Sequence, residues 1–203
     1  MAKRRAWAAL GLMSVGLAAC SAPAEPDPPP RRAPDNTLVE TPTRPEPPVL
    51  PDAVIAERDA LLEIAGDGRL RAFSRRAAAT DGFVSNFADD DHYDHWYLLR
   101  QTGVDPLAQF QLLFEQPHAA RQVGQETWYI WPDLAALSAE DLLLERLSFQ
   151  DRARLTALIG EDGVQRIRAG SAYPGFRTAI AADGRWVYFL HEIGGPDDEG
   201  VDE

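Results

Sequence analysis

Residues 176 to 190 read FRTAIAADGRWVYFL, two runs of apolar, β-branched and aromatic residues on either side of Asp183-Gly184. An Asp-Gly pair between such runs signals a β-hairpin, because a two-residue type I′ turn needs positive φ at both central positions. In that register Ala182 faces Arg185, Ile180 faces Val187 and Thr178 faces Phe189. The opposite face then carries Ala181, Ala179 and Arg177 with Trp186, Tyr188 and Leu190. Both faces hold apolar bulk, so helices must cover at least one of them. The hairpin predicts an α+β fold.

Working outward, TWYIW at residues 127 to 131 reads as a strand ended by Pro132, with Trp128 and Ile130 on one face and Tyr129 and Trp131 on the other. Helices are expected over 53–65, with Asp52 as N-cap, and over 69–79, where Leu70, Phe73 and Ala77 recur at helical spacing. Asp105-Pro106 opens another, a cap followed by proline at the first helical position, and Leu107, Phe110 and Phe114 carry its apolar stripe. Ser138 with Asp141 and Ser148 with Asp151 form S-x-x-D capping pairs that predict helices over 139–147 and 149–159, the latter closed by Gly160. The expected domain is small and helix-rich, spans 52–193, and ends in an antiparallel β-hairpin. An acidic tail, 194–203, follows.

The chain before residue 52 does not belong to that core. Lys3, Arg4 and Arg5 precede the apolar stretch AWAALGLMSVGLAA, which is too short for a membrane span of about 20 residues and reads as a signal peptide over 1–19. Residues 22 to 51 hold eleven of the sixteen prolines and almost nothing apolar to bury. Residues 20–51 are therefore expected to form an extended tether, reaching about 3.1 Å per residue where proline dominates.

Leu17-Ala18-Ala19-Cys20 resembles the lipobox of bacterial lipoproteins. That resemblance implies cleavage before Cys20 and lipidation of its sulfur and amine, since stable anchoring takes more than one acyl chain. Ser21 stands where inner-membrane retention in enterobacteria calls for aspartate, so the resemblance implies an outer-membrane anchor with the domain facing the periplasm.

Composition excludes several chemistries. Cys20 is the only cysteine, so its lipidation leaves no thiol for a disulfide, a zinc thiolate or a nucleophile. The only lysine is Lys3, inside the signal, which removes phosphate-binding loops of the G-x-x-x-x-G-K type, Schiff-base chemistry and S-x-x-K hydrolases. Without Lys3, Arg4 and Arg5, 17 Arg stand against 32 Asp and Glu. Such a surface repels nucleic acid.

The run FADDDHYDHW, residues 87 to 96, is the candidate metal site. On a helix beginning near His92, His95 shares its flank, and Asp91 lies four residues before His95. Imidazole and carboxylate suit a divalent ion such as Zn²⁺, given a further ligand such as His118 or His191. The competing reading makes the three aspartates a helix start, with carboxylates near the positive end of the helix dipole. Trp128 and Trp131 are candidate contact residues, or else core. Arg177 and Arg185 are candidate anion contacts on the hairpin, or else paired with carboxylates. GSAYPGFR places Ser171 among turn residues and lacks the G-x-S-x-G elbow, so no catalytic residue is assigned.

The segments GSAYPGFRTAIAADGRWVYFLHE, RQTGVDP and WYIWPDL resemble a group of uncharacterised alphaproteobacterial envelope proteins, a likeness that implies no activity. The hairpin ending is also similar to the closing strands of nuclear-transport-factor-2-like domains. The expectation is a lipid-anchored envelope lipoprotein with a non-catalytic binding or structural domain. Its partners are the membrane, through the anchor, and an envelope protein or small ligand, with no nucleic acid and no cofactor. The alternatives are a metal-dependent enzyme using Asp91, His92 and His95, or a nuclear-transport-factor-2-like ligand-binding domain.

Overall fold

A computed structural model of the chain describes residues 46–86 and 92–192. The signal peptide, Cys20, most of the tether, Asp91 and the acidic tail lie outside the described residues.

Four helices, α1 (Asp52–Gly66), α2 (Leu70–Ala78), α3 (His92–Gln101) and α4 (Pro106–Phe114), precede most of the sheet. The short β1 (Val84–Ser85) lies between α2 and α3. Then come β2 (Ala119–Val123), β3 (Glu126–Trp131), a 3-10 turn over Asp133–Ala136, α5 (Phe149–Arg168), β4 (Arg177–Ala181) and β5 (Trp186–Leu190). The strands form one sheet in the order β1-β5-β4-β3-β2. Its pairings are antiparallel except for β1, which runs parallel to β5. The fold is α+β, with β4 and β5 as the expected C-terminal hairpin, but the sheet is wider than the two strand regions legible in the sequence.

The hairpin's turn differs from expectation. Gly184 N–H donates to the Ala181 carbonyl, so Ala182 and Asp183 hold the central positions, and Gly184 follows at φ 90°. This is the three-residue loop that Asp-Gly also accommodates, with glycine in the left-handed position. The register slips by one, pairing Ile180 with Trp186, and a bulge leaves Val187 unpaired before Ala179 meets Tyr188 and Thr178 meets Phe189. Trp186 is thereby turned onto the face of Ile180 and Phe189, opposite to the face its two-residue register predicts.

That face is covered by the first four helices. Phe73 of α2 sits at the centre, its ring 4.8 Å from Phe110, 4.9 Å from Trp186, 5.1 Å from Trp96 and 6.0 Å from Phe189. Val54, Leu61, Leu107, Tyr129, Trp131 and Ile180 are among the other members of this core. The other face buries Ile130, Ala179, Ala181 and Val187 beneath Trp128, Tyr188 and the two alanines of the 3-10 turn. The alternation expected along β3 holds. A separate cluster gathers Leu134, Leu142, Leu147, Leu155, Ile167 and Tyr173.

Asp105 caps α4, its carboxylate accepting from Leu107 N–H at 3.0 Å with Pro106 behind it. Asp52 instead occupies the first turn of α1, and Pro51 holds the cap position. The segment 139–147 forms turns rather than a helix, although the Ser138–Asp141 capping bonds are made. Nine residues are marginal as an isolated helix, and burying Leu142 and Leu147 determines their path. Past the break at Gly160, with φ 66° and ψ −179°, α5 resumes to Arg168. Among the described residues no helix is long and apolar enough to cross a membrane.

Candidate functional site

Two places gather polar chemistry. The first lies where α3 meets the end of β5. His92 is buried, hydrogen-bonded through Nδ1 to Ser85 Oγ at 2.8 Å, with its ring stacked on Trp96 and edge-on to Phe83. His95, also buried, faces His191 with ring centroids 6.2 Å apart, and Phe176 closes over His191 at 4.4 Å. The Asn86 side chain clamps this end of the sheet, donating to the His191 carbonyl and accepting from its N–H at 2.8 Å. Burial holds the His95 imidazole below its ordinary pKa, and the neighbouring His92 adds to the effect. His191 is likewise lowered by burial, which outweighs the hydrogen bond its ring donates to the Glu192 backbone, a bond that favours the charged form.

Of the candidate metal ligands, His92 and His95 thus share one flank of α3, and His191 approaches His95. His118 is elsewhere. Asp91 is outside the described residues, and among those described no group of three His, Cys, Asp or Glu is placed to hold a metal ion.

The second place is a pocket of about 1290 Å³ between the edge strand β2 and the start of α5. Pro47 and Pro48 contribute to its lining. His118 Nε2 donates to the Pro48 carbonyl at 2.7 Å, and its ring packs 5.2 Å from Trp131. One wall is β2 from Ala119 to Arg121; the other is Leu137 with Phe149, whose residue surface is 82% exposed. The floor holds an ionic pair of unequal burial. Asp133 is 3% exposed and bonded to Arg154, which also reaches Asp151 at 3.0 Å. Ser148 Oγ accepts from Asp151 N–H at 3.1 Å, so the predicted capping pair is made and forms part of the pocket.

The other sequence candidates divide. Trp131 is 2% exposed and belongs to the core. Trp128 is half-buried, and its indole N–H donates to Glu126 at 3.0 Å, the carboxylate that also binds Arg185 at 2.6 Å. Trp128 and Arg185 are therefore brought together through Glu126. Arg177 donates to the Tyr173 carbonyl at 2.6 Å and lies 3.6 Å from Glu192, committed to the sheet's end. Burial pushes the Tyr188 hydroxyl up to about 12, keeping it neutral.

The sequence does not reveal the pocket, because residues 47, 118, 133, 149 and 154 share no motif, and His118 stood out only as a candidate metal ligand. The one available signal was Ser148-x-x-Asp151 with an aromatic, Phe149, at the first helical position. No family model, no curated protein and no solved structure matches this chain.

Proposed function

We propose that the chain is a lipid-anchored lipoprotein of the cell envelope, held at the outer membrane through Cys20, whose folded domain faces the periplasm and binds a partner or ligand without catalysing a reaction. The lipobox and proline-rich tether support the anchoring. The single observation that carries the binding role is the pocket of about 1290 Å³ beside β2, which combines an exposed aromatic, Phe149, with an ordered Asp133–Arg154–Asp151 floor. Concave sites with apolar walls and a few fixed polar groups are where proteins take ligands. The floor also suits binding better than chemistry, because Arg154 is engaged by both carboxylates rather than poised as a proton carrier.

A chemical-shift screen of fragments and short peptides against the lipidated mature chain in nanodiscs tests this. The proposal expects saturable shifts confined to Ala119–Arg121, Leu137 and Phe149–Arg154. Shifts elsewhere only, or none at millimolar concentrations, would contradict it.

A further inference from the structure

The pocket's wall on the sheet side is an edge strand, and an edge strand has a specific chemistry. Among the described residues β2 pairs with β3 alone, at the end of the sheet order. Gly124 and Gln125 make a two-residue turn between Val123 and Glu126, and Gly124 is in the left-handed region at φ 58°. A two-residue hairpin places the flanking pair in mutual hydrogen bonds, and such pairs alternate along an antiparallel ladder. Arg121 with Trp128 and Ala119 with Ile130 then bond across to β3. The N–H and C=O groups of Ala120 and Gln122 consequently point away from β3, and Ala120 lines the groove. The central residues of β2 are exposed.

Two further observations define what fits. The chain's own Pro47-Pro48 segment already lines this groove, fixed by the His118–Pro48 bond. The groove therefore accommodates polypeptide, and proline holds φ at about −65°, compatible with an extended chain. Its lining carries three carboxylates, Glu46, Asp133 and Asp151, against the guanidiniums of Arg121 and Arg154, in a chain of formal charge −12. That balance disfavours an acidic occupant.

Building on the proposed binding role, we infer that the groove takes an extended, non-acidic peptide segment of another envelope protein, which adds to β2 as a further strand. Main-chain bonds to Ala120 and Gln122 supply the pairing, and Phe149 and Leu137 contact its side chains, the division of labour that strand addition uses. The five residues of β2 would pair with about 17 Å of partner.

A displayed library of random linear 12-residue peptides, panned on the lipidated mature chain in nanodiscs, provides the probe. Enriched peptides should be neutral or basic and should slow amide exchange at Ala120 and Gln122. They should lose at least tenfold in affinity to Ala120→Pro, which removes the outward-facing N–H without deleting a β2–β3 hydrogen bond, and to Phe149→Ser at an exposed position. Melting curves of both variants check the fold, and Phe149→Ser serves alone where Ala120→Pro fails to fold. No enrichment over an unrelated nanodisc protein, or binding without protection of those two amides, overturns the inference. Small molecules that occupy the pocket when no peptide does would overturn strand addition alone and leave the binding role standing. If neither binds, both readings fall.

Discussion

The indole N–H of Trp186 donates to the hydroxyl of Thr178 at 2.9 Å, and that hydroxyl donates in turn to the Tyr188 carbonyl at 2.7 Å. Both side chains are fully buried, and the link spans the hairpin where the bulge at Val187 turns Trp186 into the helix-covered core. Thr178→Val keeps the shape but leaves the indole donor without a partner, which costs about 1–3 kcal/mol. Urea unfolding should place Thr178→Val below Thr178→Ser, which keeps the hydroxyl. A valine variant as stable as the wild type would show that the bond contributes nothing.

Phe73 touches four aromatic rings at once, so truncation opens a cavity that no single neighbour can fill. Phe73→Ala is expected to cost about 3–5 kcal/mol. Chemical denaturation measures it, and a loss near 1 kcal/mol would mean the helices repack freely.

Gly184 is constrained twice, by φ 90° and by a space in which an added Cβ would meet the Ala53 carbonyl oxygen at 2.9 Å. Gly184→Ala should destabilise by more than the roughly 1 kcal/mol expected for positive φ alone, because α1 must also yield. Gly68→Ala, at φ 68° with open space around it, is the control for the backbone effect by itself. Equal losses in the two variants would remove the α1 contact from the explanation.

Burial raises the pKa of the Asp105 carboxyl, but hydrogen bonds from Arg100 and from the backbone N–H of Leu107 outweigh it and hold the group below its ordinary range. Its contribution is therefore present above the unfolded carboxylate pKa and is lost as pH falls through the folded value. Asp105→Ala should cost about 1 kcal/mol at neutral pH, the usual value of a helix cap. The difference from wild type should shrink in acid.

His95 and His191 act in the same direction in a higher pH window. Their folded pKa values are lowered, so below the ordinary histidine pKa of about 6.5 the unfolded chain takes up protons that the folded one refuses. Stability should fall as pH drops from 7.5 toward 5, and His95→Gln should flatten that slope. A slope unchanged in the variant would assign the acid sensitivity to other groups.

What the sequence revealed and concealed follows from the range of the interactions involved. The α4 cap and the strand alternation of β3 are local, so Asp105-Pro106 and TWYIW predict them directly. The face of Trp186 was not legible, because Asp183-Gly184 suits both a two-residue and a three-residue loop, and the three-residue loop shifts the pairing by one until the bulge at Val187 restores it. Here Gly184 lies against Ala53 of α1, a contact between residues 131 positions apart. The edge strand AARQV carries no apolar alternation, since its central side chains face solvent. The approach of His191 to His95, and the pocket assembled from residues 46 to 154, depend on tertiary placement that periodicity does not encode.

The anchor is the claim on which the cellular part of the account depends, and one measurement tests it most directly: the intact mass of the full-length chain recovered from isolated outer membranes. The account predicts a polypeptide beginning at Cys20 with diacylglyceryl and acyl groups attached, and a Cys20→Ala chain that carries no lipid. An unmodified chain released to the soluble periplasmic fraction, or membrane-bound lipid that survives Cys20→Ala, would contradict it.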